Sequence, residues 1–178
     1  MTYLFLAPGF EEIEAIATID VLRRGGVDVR TISILTEKRV LGAHDVPVEA
    51  DDIINNVNIA DADMLVLPGG MPGASNLRAC EKLTSALVGF KGHIGAICAA
   101  PAVVLGSLGM LKGKEAICYP GFENDLNCAK VSDDVVVTDG NITTAIGPGF
   151  AMEFGLELVR IAKGEEQSDE VASGMLLL

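Results

Sequence analysis

The sequence has no tryptophan and few other aromatic residues, which together make up 4% of its 178 residues. It also lacks a long hydrophobic run, since no uninterrupted apolar stretch approaches the roughly 18 residues that a membrane-spanning helix needs. Residues 1–8 carry no basic charge and are too short for a signal peptide, so we interpret them as a first strand. A membrane protein is therefore not expected.

Basic residues are scarce, because 13 lysines and arginines against 25 acidic residues give a formal net charge of −12. Such a charge repels nucleic acid and anionic membranes, so neither partner is expected. Cysteine is also sparse, and its four occurrences form no CxxC pair, which disfavours a structural metal site. With no export signal apparent, we expect free thiols in the cytoplasm. The four residues are Cys80, Cys98, Cys118 and Cys128.

The length fits one domain with a sizeable core, and we expect a single domain over residues 1–178. Apolar strand patterns alternate with helical ones, and such β-α-β crossovers imply a parallel sheet. The fold class predicted is therefore α/β, a doubly wound sandwich with a mostly parallel central sheet and a small hairpin outside it. Strands are predicted at 2–7, 27–35, 63–67, 93–97, 115–118, 135–138 and 142–145, helices at 10–24, 79–90, after 101, at 150–162 and at 166–173, and the hairpin at 39–51.

Cys98 stands between a short apolar strand at 93–97 and a helix that Pro101 opens. A cysteine at a helix start faces free backbone N–H groups and the positive end of the helix dipole. Both favour the thiolate and predict a pKa below the ~8.5 of a free cysteine. The alternative is a structural cysteine, since this residue type is often fully buried. The segment by itself leaves both interpretations open.

A cysteine nucleophile usually needs a base, and the sequence contains two histidines. His93 lies on the same strand as Cys98 and is roughly 16 Å away at this spacing, while His44 falls in the hairpin turn. Glu14 is the other candidate for the proton-transfer group, because its side chain lies along an uncharged face of its helix. Burial on that face would favour the protonated acid. The alternative is a partly solvated acid that stabilises the helix dipole.

Gly69 and Gly70 follow the strand at 63–67, where their N–H groups are placed to form an anion-binding nest. The glycine spacing does not match a dinucleotide fingerprint. In addition, Pro72 removes an N–H group that a phosphate would need. A nucleotide cofactor is therefore not expected.

Four segments in this order resemble the ThiJ/PfpI superfamily, specifically the branch of the parkinsonism-associated deglycase. They are PGFEEIE at 8–14, LVLPGG at 65–70, AICAAP at 96–101 and GPG at 147–149. The resemblance covers almost the whole chain and implies a flavodoxin-like fold, a homodimer and no cofactor. It also implies Cys98 as the nucleophile, Glu14 as its protonated partner, and oxyanion-type N–H donors from Gly70 and Ala99. Gly69 and Tyr119 complete the predicted oxyanion and substrate-binding set.

Members of the superfamily are described as glyoxalases, deglycases, redox-sensing chaperones or peptidases. Tyr119 stands before Pro120 where the branch often has a histidine, and tyrosine is a poor base near neutral pH, which disfavours a peptidase or amidase. The hairpin around His44 also differs from an arginine-bearing family pattern, so substrate recognition is expected to differ. We expect a cofactor-free, cysteine-dependent glyoxalase or deglycase for small α-oxoaldehydes or their protein adducts. The alternative is an oxidation-sensing stress protein or chaperone in which Cys98 becomes a sulfinate.

Overall fold

A seven-stranded sheet forms the centre of the computed structural model, which describes residues 1–128 and 130–177. Its strand order is β10-β11-β7-β6-β1-β2-β5, and every neighbouring pair is parallel except the edge pair of β10 and β11. The strands are β1 Thr2–Leu6, β2 Val29–Ser33, β3 Arg39–Leu41, β4 Pro47–Glu49, β5 Asp52–Ile53, β6 Met64–Leu67, β7 His93–Ile97, β8 Glu115–Ala116, β9 Lys130–Val131, β10 Val136–Asp139 and β11 Ile142–Ala145.

Helices cover both faces of this sheet, as expected for a doubly wound α/β fold. They are α1 Glu12–Arg24, α2 Gly73–Ala79, α3 Glu81–Gly89, α4 Glu123–Leu126, α5 Ala151–Lys163 and α6 Glu165–Gly174. A π-helical segment at Pro101–Gly106 follows β7, and single 3-10 turns lie at Ile54–Asn56, Ile59–Asp61 and Pro148–Phe150. Within the described residues no helix combines the length and the apolar character needed to cross a bilayer.

Two apolar clusters fill the spaces between the sheet and its helices. Side chains of a strand alternate between faces, so Phe5 of β1 joins one cluster while Leu4 and Leu6 join the other. The first cluster includes Leu87 of α3, and the second includes Phe154 of α5. Because both faces are covered, the central strands are apolar throughout rather than alternating, which is how they were recognised in the sequence.

Helices α1 and α5 pack unusually closely, and this contact fixes the position of α1 on the sheet. A Cβ atom added to Gly155 of α5 would lie 2.8 Å from the Cβ of Val21. Likewise, a Cβ atom on Gly25, just after α1, would lie 2.7 Å from a methyl group of Val159. The two glycines therefore let the helix backbones approach, and α1 carries Glu14 in its first turn.

The predicted fold class is confirmed, and so is the small hairpin, since β3 and β4 form a separate two-stranded sheet. The helix predicted at 79–90 is confirmed as α3, whereas the separate helix α2 before it was not predicted. Cys80 has an extended backbone that ends one helix and begins the next. The strand predicted at 115–118 is shorter than expected and ends at Ala116.

Replacing Gly155 with alanine is expected to destabilise the protein by about 1–3 kcal/mol, because the new methyl group has no space against Val21. Urea unfolding measures the change. Gly89→Ala is the matched control, since this helical glycine has no neighbour within 4 Å of the new atom and alanine favours a helix. Equal effects of the two substitutions would contradict the close packing.

Candidate active site

The carboxyl ends of three neighbouring strands bring the candidate site together. Cys98 follows β7, the Gly69-Gly70 loop follows β6, and β11 ends at Ala145 on the other side of β7. The Cys98 N–H group donates to the Ala145 carbonyl at 2.9 Å. In parallel α/β sheets, this edge is where ligands bind.

Cys98 forms a sharp turn between the strand and the helical segment. Its φ of 64° is left-handed, which costs a residue with a side chain roughly 1–3 kcal/mol. Besides the bond to Ala145, its carbonyl accepts a hydrogen bond from the Tyr119 N–H group at 2.8 Å. These two main-chain bonds hold the strained turn, and such strain is typical of functional sites. The side chain is largely buried, at 8% exposure.

Glu14 lies in the first turn of α1 and is fully buried, at 0% exposure. Its Oε2 atom accepts a hydrogen bond from the Gly69 N–H group at 2.7 Å. Glu11, one turn earlier, accepts from the Glu14 N–H group at 2.8 Å and donates its own N–H group to the Gly69 carbonyl at 3.1 Å. The start of α1 and the glycine loop are therefore joined by bonds in both directions.

Burial raises the pKa of Glu14 from 4.5 to about 7, against hydrogen bonding with Cys98 and Gly69, which lowers it. Burial and, after it, the neighbouring Glu14 charge together raise the pKa of Cys98 to about 12, although the N–H groups of Gly70 and Ala99 act to lower it. The two side chains thus interact directly and compete for protons. The pair therefore loses its first proton near pH 7 and keeps the second well into the alkaline range, so the anion forms on one group while the other stays protonated.

While Glu14 is ionised, the pKa of the Cys98 thiol is raised, so the prediction of a lowered thiol pKa is wrong for that state. The physical reason is that burial and the adjacent carboxylate outweigh the two N–H groups that stabilise a thiolate. Protonation of Glu14 removes its charge and provides an O–H group that can donate to sulfur. The thiolate at Cys98 therefore accompanies a protonated Glu14.

Gly69 and Gly70 are required by the close approach of the loop to its neighbours. A Cβ atom on Gly69 would lie 2.7 Å from the Cβ of Cys98 and 2.9 Å from Glu14 Oε2. Gly70 has a φ of +85°, and a Cβ atom there would lie 2.4 Å from the Glu11 nitrogen. The prediction that Gly69 supplies an oxyanion donor is corrected, because its N–H group already binds Glu14.

The N–H groups of Gly70 and Ala99 are close enough to the Cys98 sulfur to lower its pKa. Donors in this position also reach an oxygen on a carbon bonded to that sulfur, which is the requirement for an oxyanion hole. Tyr119 lies beside the same turn, is 46% exposed, and its ring packs on Gly147, where an added Cβ atom would be 3.2 Å from the ring. Of the predicted oxyanion and substrate-binding residues, Gly70, Ala99 and Tyr119 therefore lie around Cys98. The N–H group of Gly69 binds Glu14 instead.

Neither histidine contacts Cys98. His93 begins β7, at the opposite end of the strand, and its Nε2 lies 2.8 Å from Thr143 Oγ1, while burial lowers its pKa. His44 is 72% exposed in the hairpin turn, and its Nδ1 lies 2.7 Å from Glu12 Oε2. That hydrogen bond raises the pKa of His44.

Glu11, Glu12 and His44 are the side chains whose grouping resembles a metal site, with ligand atoms all within 4.8 Å of one another. The hydrogen bonds between His44 and Glu12 account for this grouping without an ion. Sequence reasoning missed Glu11 and Ala145 as supports of the site. Glu11 contacts Gly69 and Ala145 contacts Cys98 through main-chain bonds between residues far apart in the chain, which no local motif reveals.

Comparisons with known proteins show which family and fold the chain resembles. The model of the DJ-1/PfpI family matches residues 2–161. The chain is 40% identical over 97% of its length to Protein DJ-1 homolog A of Arabidopsis thaliana, of which it spans 45%, less than half. It is 36% identical over 94% of its length to the glutathione-independent glyoxalase DJR-1.2 of Caenorhabditis elegans, of which it spans 90%. The structure of oxidized Toxoplasma gondii DJ-1 superposes with a TM-score of 0.94 at 36% identity, covering 98% of this chain and 97% of that one.

Glu14→Gln is expected to stabilise the protein at high pH and to have little effect at low pH. Folding raises the pKa of Glu14 from 4.5 to about 7, so the native state loses stability as the pH rises through that range. The amide avoids this loss, which amounts to about 3 kcal/mol above pH ~7.

Urea unfolding at about pH 5 and about pH 8 measures the difference. Glu153→Gln, at an exposed position of α5, is the control and should show no such pH dependence. The same Glu14→Gln effect at both pH values would contradict a raised pKa.

Proposed function

The chain belongs to the DJ-1/PfpI family, and we propose that it is a cofactor-free, cysteine-dependent enzyme for small α-oxoaldehydes or their protein adducts. The observation that carries this proposal is the pairing of Cys98 with the buried Glu14, beside the N–H groups of Gly70 and Ala99. This arrangement supplies a nucleophile, a proton carrier and an oxyanion hole in one place. The relative named as a glyoxalase supports the substrate class.

The reaction begins with Cys98 as thiolate and Glu14 as carboxylic acid. The sulfur attacks the aldehyde carbon of methylglyoxal, and the oxygen of that carbon takes the Glu14 proton while the N–H groups of Gly70 and Ala99 stabilise its charge. The product is a neutral hemithioacetal with Glu14 ionised. A carboxylate with a pKa near 7 is well matched to accept and return a proton at neutral pH.

Glu14 then removes the hydrogen from the former aldehyde carbon, giving an enediolate, and returns that proton to the neighbouring carbon. The hydroxyl proton moves between the two oxygens, so the outcome is a lactate thioester of Cys98. One carbon is oxidised and its neighbour is reduced, and no external oxidant is needed. Glu14 next deprotonates a water molecule that attacks the thioester, which restores the thiolate with a protonated Glu14 and releases lactic acid, which gives its proton to the solvent as lactate.

A peptidase or amidase is the weaker alternative. Such an enzyme must protonate an amine leaving group, and a histidine usually performs this step. Neither histidine of the chain contacts Cys98, and Tyr119 occupies the nearby position. These contacts favour the aldehyde chemistry.

We also propose that the protein acts as a homodimer in the cytoplasm. Support for a dimer comes from exposed apolar side chains on two neighbouring elements: Ile13 and Ile16 on α1, and Leu41 and Val46 in the hairpin region. Exposed apolar groups clustered in this way are typical of protein interfaces. All four cysteines are free, which supports a reducing compartment.

Cys98→Ser is expected to abolish the production of lactate from methylglyoxal, because a serine hydroxyl lacks the nucleophilicity of the thiolate. Glu14→Gln should lower kcat/KM by roughly 10²–10⁴-fold through loss of proton transfer. Timed lactate assays measure both changes. Cys80→Ser, between α2 and α3, is the control and should keep full activity. A Cys98→Ser protein that still turns over methylglyoxal would end this proposal.

A second candidate function is an oxidation sensor or stress-responsive chaperone. The protonated carboxyl group of Glu14 beside Cys98 favours this function as well. One equivalent of peroxide converts the Cys98 thiolate to a sulfenate and water, and a second equivalent gives the sulfinate and water. The sulfinate oxygens would accept hydrogen bonds from protonated Glu14 and from the N–H groups of Gly70 and Ala99. The acid therefore stabilises the oxidised form without a change of fold.

Mild peroxide is expected to add two oxygen atoms to Cys98 before it modifies any other cysteine, as followed by peptide mass spectrometry. Burial raises the pKa of Cys118 to about 12, as it does for Cys98, but the neighbours of Cys118, Glu123 and Asp125 among them, raise its pKa too, whereas Cys98 has two N–H groups that favour an anion. Cys80 and Cys128 are partly exposed comparisons. Glu14→Gln should yield less sulfinate at the same dose, because the amide donates a weaker hydrogen bond. Faster oxidation at Cys80, Cys118 or Cys128 would remove the basis for a sensor.

A further inference from the structure

Tyr119 places an aromatic ring beside Cys98 and leaves much of that ring exposed. Its N–H group donates to the Cys98 carbonyl at 2.8 Å, so the main chains of the two residues are in direct contact. The residue is nevertheless 46% exposed. The mechanism described above uses no atom of the ring, and tyrosine is a poor base near neutral pH. The ring is therefore free for another role at the site.

Gly147 supports one edge of this ring. The backbone at Gly147 is extended, with φ of 165° and ψ of −174°, so its conformation does not demand a glycine. A Cβ atom there would lie 3.2 Å from Cδ2 and 3.6 Å from Cε2 of Tyr119. The missing side chain therefore makes room for the ring. Because the contact involves one edge, the exposed part of the residue includes area on a ring face.

The order of the strands places the ring and Glu14 on opposite sides of Cys98. Strand β7, which leads to Cys98, lies between β6 and β11. Gly70 follows β6, and Glu14 is hydrogen-bonded to the loop that contains Gly70. Gly147 follows β11 and carries the ring with it. A group bonded to the sulfur therefore has the acid and the oxyanion donor on one side and the ring on the other.

We propose that Tyr119 is a specificity-determining residue, whose ring stacks against the substituent of an α-oxoaldehyde and favours an aromatic substituent over a methyl group. The two reacting carbons must lie near Gly70 and Glu14, because charge develops and protons move there. The substituent then extends toward β11 and the ring. Aromatic rings stack at centroid separations of about 4.5–7 Å, which the span of one substituent can meet. This substrate preference rests on the proposed function, whereas contact between the ring and a group on the sulfur does not.

Alkylation of Cys98 by two α-bromoketones tests the ring contact without any turnover. The sulfur displaces bromide from phenacyl bromide or from bromoacetone, so an S–C bond forms as a C–Br bond breaks. The reagents differ only in carrying a phenyl or a methyl group. Peptide mass spectrometry gives the rate at Cys98, and rates with N-acetylcysteine correct for intrinsic reactivity. The corrected ratio of the phenacyl bromide rate to the bromoacetone rate should fall roughly two- to tenfold in Tyr119→Ala.

Tyr119→Phe keeps the ring and should keep the wild-type ratio. Val88→Ala is the control, because it removes an apolar side chain that is 65% exposed on α3, before the start of β7, and should not change the ratio. All three variants retain the N–H group at position 119 that bonds to Cys98. An unchanged ratio in Tyr119→Ala would overturn the proposal. An equal fall in Tyr119→Phe or in Val88→Ala would overturn it as well.

Turnover of two aldehydes distinguishes failure of the preference from failure of the proposed function. Tyr119→Ala should lower the ratio of kcat/KM for phenylglyoxal to kcat/KM for methylglyoxal by a similar factor. The same ratio in wild type and variant would overturn the preference. A protein that converts neither aldehyde, yet loses its selectivity for phenacyl bromide in Tyr119→Ala, would contradict the proposed function and support the role of the ring.

Discussion

The hydrogen bond from the Gly69 N–H group to Glu14 Oε2 connects the two halves of the candidate site. It joins the loop after β6 to the first turn of α1, and the Glu11 contact with Gly69 reinforces it. The absence of a side chain at Gly69 is what lets Cys98 and Glu14 approach the same point. The remaining architecture, including the close packing of α1 on α5, keeps this first turn in place.

Burial changes the pKa values of Cys98 and Glu14 more than the N–H groups at the start of the helical segment after Cys98 do. Two anions at such short range in an apolar setting repel strongly, so one proton is retained between them near neutral pH. A thiolate made in this way has a neutral acid beside it, which serves both aldehyde chemistry and stabilisation of an oxidised sulfur. One site therefore supports both candidate functions.

The sequence was sufficient to predict the doubly wound fold and the hairpin, since these depend on periodic apolar patterns and turn signals. Its pattern left Glu14 either buried or partly solvated, and the structure has it buried. It did not predict the occupied N–H group of Gly69 or the raised pKa of Cys98. Both depend on which groups from distant parts of the chain meet at the sheet edge, and local spacing does not encode that. Helix α2 was missed because Pro72 and Gly73, which stand at its start, are residues typical of a loop.

The central claim is that Cys98 and Glu14 share one proton, and the rate of Cys98 alkylation by iodoacetamide as a function of pH tests it most directly. The account predicts that the rate rises through about pH 7, where the pair loses its first proton, and then stays level over the mildly alkaline range. In Glu14→Gln the rise near pH 7 should disappear. A wild-type profile with the ~8.5 midpoint of an ordinary cysteine, or the same profile in both proteins, would contradict a shared proton.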